Sequence, residues 1–104
     1  MKNFVLLYRG GGIPKNEKEG QKVMKAWGDW FTKLGSVVVN AGNPFGAAVT
    51  VAKTRTKNGA GRRPINGYSI VIAEDIKAAT KLTKGCPILK WEDGEVEVHE
   101  VMPM

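Results

Sequence analysis

Two runs, Phe4-Val5-Leu6-Leu7-Tyr8 and Ser69-Ile70-Val71-Ile72-Ala73, carry apolar side chains on consecutive residues instead of alternate ones. A strand shows its side chains alternately to the two faces of a sheet, so an unbroken apolar run leaves neither face suited to water. The rest of the chain holds helical material for only one covering layer. The second face needs another cover, most simply a second copy of the same sheet, with Val5, Leu7 and Val71, or their alternates, buried by the partner chain. A homodimer is therefore expected as part of the fold.

The length of 104 residues fits one domain, residues 1–104, of a size that buries about 65% of its unfolded surface. A hydrophobic fraction of 42% with 25% charged residues is ordinary globular composition. No apolar run approaches the roughly 18 residues of a membrane span. Met1-Lys2 is followed only by a short apolar stretch ending at Tyr8-Arg9, without a small-residue cleavage site. A cytoplasmic protein with no membrane partner is the expectation. Cys86 is the one cysteine, which rules out an internal disulfide and a thiolate metal cluster within one chain and reads as a buried thiol.

The net charge of +6 raises the question of a nucleic-acid partner. From Trp30 to Ala73 there is no acidic residue, whereas Lys33, Lys53, Arg55, Lys57, Arg62 and Arg63 are all basic. The remaining charges cancel. Five of these six lie between Lys53 and Arg63, around Asn58-Gly59-Ala60-Gly61, where turn chemistry dominates. No aromatic residue interleaves them, as stacking on nucleic acid requires. The segment reads as a solvated basic loop, with an anion site as the alternative and nucleic acid disfavoured.

The order of elements follows from caps and periodicity. Asn16, with Glu19 three residues on, opens a helix whose inner stripe is Val23, Trp27, Trp30, Phe31 and Leu34, with Met24 and Ala26 beside it, and Gly35 closes it. A shorter helix is capped by Asp75, has Ile76, Ala79 and Leu82 inside, and ends at Gly85 and Pro87. Ser36 to Asn40 and Ala47 to Thr54 read as a second strand broken at Gly42-Asn43-Pro44. Glu95 to Val101 alternates strictly, as an edge strand does, with Val96 and Val98 opposed to Glu97 and His99. The result is an α+β fold of ferredoxin-like βαββαβ order with a four-stranded antiparallel sheet, in which the doubly apolar strands are the central pair.

Motifs for chemistry are sparse. Gly10-Gly11-Gly12 lies between a strand and a helix, but neither a nucleotide fingerprint nor a P-loop is completed. It reads as a mobile crossover loop able to act as a lid, and no cofactor is expected. His99, the sole histidine, has no second histidine with which to build a metal site. Tyr8 and Tyr68 end and begin the central strands with phenols that need polar partners when buried. Asn66-Gly67-Tyr68-Ser69 gathers polar groups at the end of an apolar strand, which suits either a small-molecule pocket or a turn with a tyrosine packed over it.

Several segments together resemble the YCII-related domain family, in its DGPF-type branch. They are Phe4 to Arg9, Ala26-Trp27-Gly28, Lys33-Leu34-Gly35, Gly42-Asn43-Pro44-Phe45-Gly46, Asn66-Gly67-Tyr68-Ser69-Ile70, Gly85-Cys86-Pro87, and the ending Val96-Glu97-Val98 with Glu100 to Met104. The resemblance implies a ferredoxin-like chain whose sheets face each other in a dimeric α+β barrel. The branch with a suggested active site uses a histidine and an aspartate that align with Met24 and Cys86 here, so that chemistry does not carry over.

The leading expectation is a homodimer binding a small aromatic or anionic molecule in a cleft between the sheet and the first helix. Tyr8, Met24, Trp27, Asn66, Tyr68 and His99 are the candidate ligand-binding residues. One alternative is a small hydrolase- or lyase-like enzyme using His99 as the catalytic group with Tyr68 or Glu97. The other is a regulatory or interaction module without catalysis.

Overall fold

The structure is a computed structural model that describes residues 1–59, 61 and 63–104; Ala60 and Arg62, both in the basic run of the sequence, lie outside the described residues. Strand β1 (Lys2–Arg9) leads into helix α1 (Glu17–Leu34), followed by a 3-10 turn over Gly35–Val37 and strand β2 (Val38–Asn40). Strands β3 (Val49–Val51) and β4 (Thr56–Asn58) come next, then β5 (Gly67–Ala73), helix α2 (Ile76–Thr83), a 3-10 turn over Pro87–Lys90 and β6 (Glu95–Glu100).

The four-stranded sheet has the order β2-β5-β1-β6, with every pairing antiparallel. The doubly apolar strands β1 and β5 are thus the central pair. Their register sets Phe4 against Val71 and Val5 against Ile70, which sorts the side chains into two faces. On the helix-covered face Phe4, Leu6 and Val71 are fully buried, and Tyr8 and Ala73 nearly so. Trp27, Trp30, Phe31 and Leu34 of α1, Ala78, Ala79 and Leu82 of α2, and Ile88 pack over them. On the other face Val5, Leu7, Ile70 and Ile72 are only half-buried. Val71, grouped by its sequence with Val5 and Leu7 as a residue awaiting a partner, lies opposite Phe4 and is instead sealed by the chain's own helices.

The helices start where side chains satisfy their first amides. The Asn16 carboxamide oxygen accepts from the Glu19 amide at 2.9 Å, and the Asp75 carboxylate from the Ala78 amide at 2.8 Å. Helix α1 ends at Gly35, with φ of 66° and its amide donating to the Phe31 carbonyl. Ile76, expected on the inner face of α2, is 52% exposed at its first residue, and Ala78 packs inward beside Ala79.

The region between β2 and β5 departs most from expectation. The Ala47 to Thr54 segment does not extend the main sheet. Its core, Val49–Val51, folds back on Thr56–Asn58 as a separate two-stranded hairpin closed by the Ala52 amide donating to the Arg55 carbonyl at 2.7 Å. All six strand residues of the hairpin are exposed. The basic run, read as a loop, therefore contains a strand, β4. Among the described residues no helix is long and apolar enough to cross a membrane.

Because Leu6 is enclosed by the core and Val51 stands on an exposed hairpin, truncation separates them. Leu6→Ala is expected to lower the unfolding free energy by about 3 kcal/mol, and Val51→Ala by less than about 0.5 kcal/mol, in urea titrations followed by tryptophan fluorescence. Equal losses would contradict this division between core and arm.

Candidate functional site

Where β1 ends and β5 begins, the sheet, α1 and two loops enclose a cleft of ≈ 750 Å³. The Ala41–Phe45 segment runs along the start of β5. The Phe45 amide donates to the Asn66 carbonyl at 2.7 Å, the Tyr68 amide to the Asn43 carbonyl at 3.4 Å, and Pro44 forms an isolated antiparallel bridge with Gly67. Gly42 allows this approach: its φ is 78°, and a Cβ there would stand 1.7 Å from the Tyr68 carbonyl oxygen. The opposite wall is α1, where Trp27 and Phe31, one turn apart, place their ring centroids 6.0 Å apart.

The Gly10-Gly11-Gly12 loop forms a third side, and its beginning is pinned. The Asn66 side-chain amide donates to the Gly10 carbonyl at 2.7 Å, and the Gly11 amide donates to the Asp93 carboxylate at 3.1 Å. A Cβ on Gly10, with φ of 76°, would lie 2.1 Å from the Asp93 carbonyl oxygen. Close backbone approach accounts for this glycine better than mobility does. Beyond it Ile13 is 92% exposed at the mouth of the cleft, near Met24 at 76%.

Tyr8, Met24, Trp27, Asn66 and Tyr68 all line this cleft, whereas His99 does not. Their parts differ. Tyr8 is buried edge-on against Trp27, and its hydroxyl donates to Ser69 Oγ at 2.7 Å, which in turn donates to the Ala41 carbonyl at 2.6 Å. Burial raises the Tyr8 phenol well above its ordinary range, outweighing the opposing bond to Ser69. Its proton therefore stays in the Tyr8–Ser69–Ala41 relay. Asn66 commits one of its two amide N–H bonds to the Gly10 carbonyl. Tyr68 alternates onto the half-buried sheet face, and its ring stacks on Phe45 with centroids 5.7 Å apart.

His99 belongs to that second face too, because Val96 and Val98 turn toward the core and their neighbours turn away. There the Arg9 guanidinium donates to one oxygen of Glu97, while His99 Nε2 lies 2.5 Å from the other. The hydrogen bond from His99, then that from Arg9, holds the exposed Glu97 carboxyl below the usual carboxylate range. Arg9 also donates from Nε to the Arg63 carbonyl at 3.0 Å, and the Arg63 side chain pairs with Glu95. Among the described residues no group of three or more His, Cys, Asp or Glu side chains is placed to hold a metal ion.

Several lining residues carry no local site signal in the sequence: Ile13, Asn43, Phe45 and Ile88. Gly42-Asn43-Pro44 signals a break in a strand, but nothing local shows that the break lies against Asn66. Cys86 is buried, as its composition suggests, and burial pushes its thiol up to about 11. No family model matches the chain, and no curated protein is similar to it beyond chance.

Two outcomes check this assignment of roles. Tyr8→Phe removes the phenol's hydrogen bond and is expected to cost about 1 kcal/mol in denaturant titrations. The Cys86 thiol holds its proton more tightly folded than unfolded, so its contribution is complete below the ordinary value of 9.0 and is lost as pH rises through about 11. Stability measured across that interval is expected to fall less steeply in Cys86→Ala than in the unaltered chain. Identical slopes would place the thiol in water.

Proposed function

We propose that this chain binds a small molecule in the cleft between the sheet and α1, and that it works as a homodimer. The observation that carries the first part is the shared cleft. Its ≈ 750 Å³ falls in the range of small-molecule sites, and aromatic and aliphatic walls meet a few polar groups there. A rim of exposed Ile13, Met24 and Phe45 surrounds it.

The second part rests on the other sheet face. Val5, Leu7, Ile70 and Ile72 form a contiguous half-buried apolar surface on the two central strands, a surface that a second copy would cover and water would not favour. The ferredoxin-like reading, with two such sheets packed into a dimeric α+β barrel, draws support from the order β2-β5-β1-β6. The resemblance of Gly42 to Gly46 and Asn66 to Ile70 to YCII-related proteins points the same way. His99 and Glu97 sit on the face assigned to the partner, so a substrate in the cleft of one chain does not reach them. Catalysis by His99 with Tyr68 or Glu97 is accordingly not the reading adopted.

A thermal-shift screen of metabolites tests the site, since a ligand of the native state raises stability by roughly 2.7 kcal/mol at a hundred times its Kd. A compound found this way is expected to lose its effect on Met24→Lys, a change at an exposed position that sets a charge at the mouth. A shift of equal size in the variant would move the site elsewhere. For the dimer, sedimentation equilibrium is expected to return the mass of two chains, and Ile70→Lys the mass of one. A monomeric unaltered chain would refute the second part.

A further inference from the structure

We propose that the molecule taken by the cleft is uncharged, planar and aromatic, and carries one amide-like hydrogen-bonding edge that is read by Asn43. This rests on the small-molecule reading above and narrows it. The first ground is charge. Among the described residues that line the cleft there is no Asp, Glu, Lys, Arg or His, although the chain as a whole carries +6. The nearby cations are engaged elsewhere: Arg9 with Glu97 and Arg63 with Glu95. Lys53, Arg55 and Lys57 belong to the exposed hairpin and its turn. A carboxylate or phosphate entering the cleft would give up hydration and meet no countercharge.

A cation fares no better. Aromatic faces attract cations, but Tyr8 and Trp30 already meet Trp27 at near right angles, with centroids 4.9 and 5.8 Å away. No carboxylate among the described lining residues offsets the repulsion of a positively charged chain. Aromatic rings approach the space from two sides, Trp27 and Phe31 from α1 and Phe45 from the loop after β2. Flat apolar walls of this kind favour a planar ring system that offers its own faces and edges.

The polar contact is sought among the lining side chains that are not already committed. Tyr8 donates to Ser69, Asn66 has one amide N–H tied to Gly10, and the Tyr68 ring is stacked on Phe45. Asn43 is the lining carboxamide with both its donor and its acceptor uncommitted: it is exposed, and its side chain takes part in no hydrogen bond among the described residues. An amide presents a donor and an acceptor side by side, and the group that complements both is another amide or a lactam edge.

Four probes sharing one ring system separate the possibilities: indole-3-acetamide, indole-3-acetate, tryptamine and 3-methylindole, each titrated into ¹⁵N-labelled protein. The expected result is that the acetamide shifts the Trp27 indole N–H and the Gly11 and Gly12 amides and binds at least about tenfold tighter than the acetate or the amine. Asn43→Ala is expected to weaken the acetamide about tenfold and to leave 3-methylindole unchanged; the backbone carbonyl that accepts from Tyr68 is kept in this variant. Tighter binding of the acetate or the amine at the same resonances would overturn the ligand class while leaving the cleft as the site. Equal weakening of 3-methylindole would remove Asn43 from its role. Absence of any shift at Trp27, Gly11 and Gly12 with all four probes would overturn this proposal, while the small-molecule reading stands or falls on the thermal-shift screen.

Discussion

The register of β1 against β5 is the constraint from which the rest follows. Setting Phe4 opposite Val71 and Leu6 opposite Ser69 sends every second residue of both strands under the helices and the intervening ones to the opposite surface. A slip of one residue would exchange the two sets. The consequences would be unequal, because the buried set includes Gly67 and Ser69, which fit a crowded interior. Ser69 joins three strands' worth of structure, accepting a hydrogen bond from the Tyr8 hydroxyl of β1 and donating one to the Ala41 carbonyl just past β2. A slip of β5 alone would carry Ser69 off the helix-covered face and leave the buried Tyr8 phenol without this partner, which is costly in an apolar interior. The small polar residue in the middle of an apolar pair is thus what pins the alignment.

The cleft is a by-product of the same pairing. Because β2 is only three residues long, the chain leaves the edge of the sheet at Ala41 and continues past β5 on loop hydrogen bonds. That detour needs Gly42, whose missing side chain lets the backbone lie on the Tyr68 carbonyl. On the other side Asn66 and Asp93 hold the glycine loop that follows β1. Polar groups at the strand ends serve first to bind backbone, and only afterwards to border a space. Asn66 illustrates the order: it lines the cleft, and its amide at the same time clamps Gly10.

Local signals were legible and distant ones were not. Asn16, Asp75 and Gly35 end helices through contacts within four residues, so their roles can be read directly. The Val96 and Glu97 alternation likewise places His99 on the face away from the helices. Its membership in the cleft failed because the cleft opens beside α1, across the sheet from that face. The hairpin is half legible: Val49 to Val51 has strand character, but its partner Thr56–Asn58 reads as loop because Arg55 precedes it and Lys57 lies within it. Ile13, Phe45 and Ile88 come to the cleft from positions far apart in the chain, and a sequence carries no local mark of such meetings.

What the side chains of the cleft are able to do follows from where their protons are held. Tyr8 keeps its proton in a buried relay, and Cys86, beneath the same layer, keeps its own until about pH 11. The ionisable trio of Arg9, Glu97 and His99 is gathered on the other side of the sheet. Acid–base chemistry needs a proton-exchanging group within reach of the substrate, and Glu97 and His99 are not among the residues that line the cleft. Recognition needs only shape, apolar surface and a free polar edge. The alternation of β1 and β6 thus sets the charged trio and the cavity on different parts of the sheet.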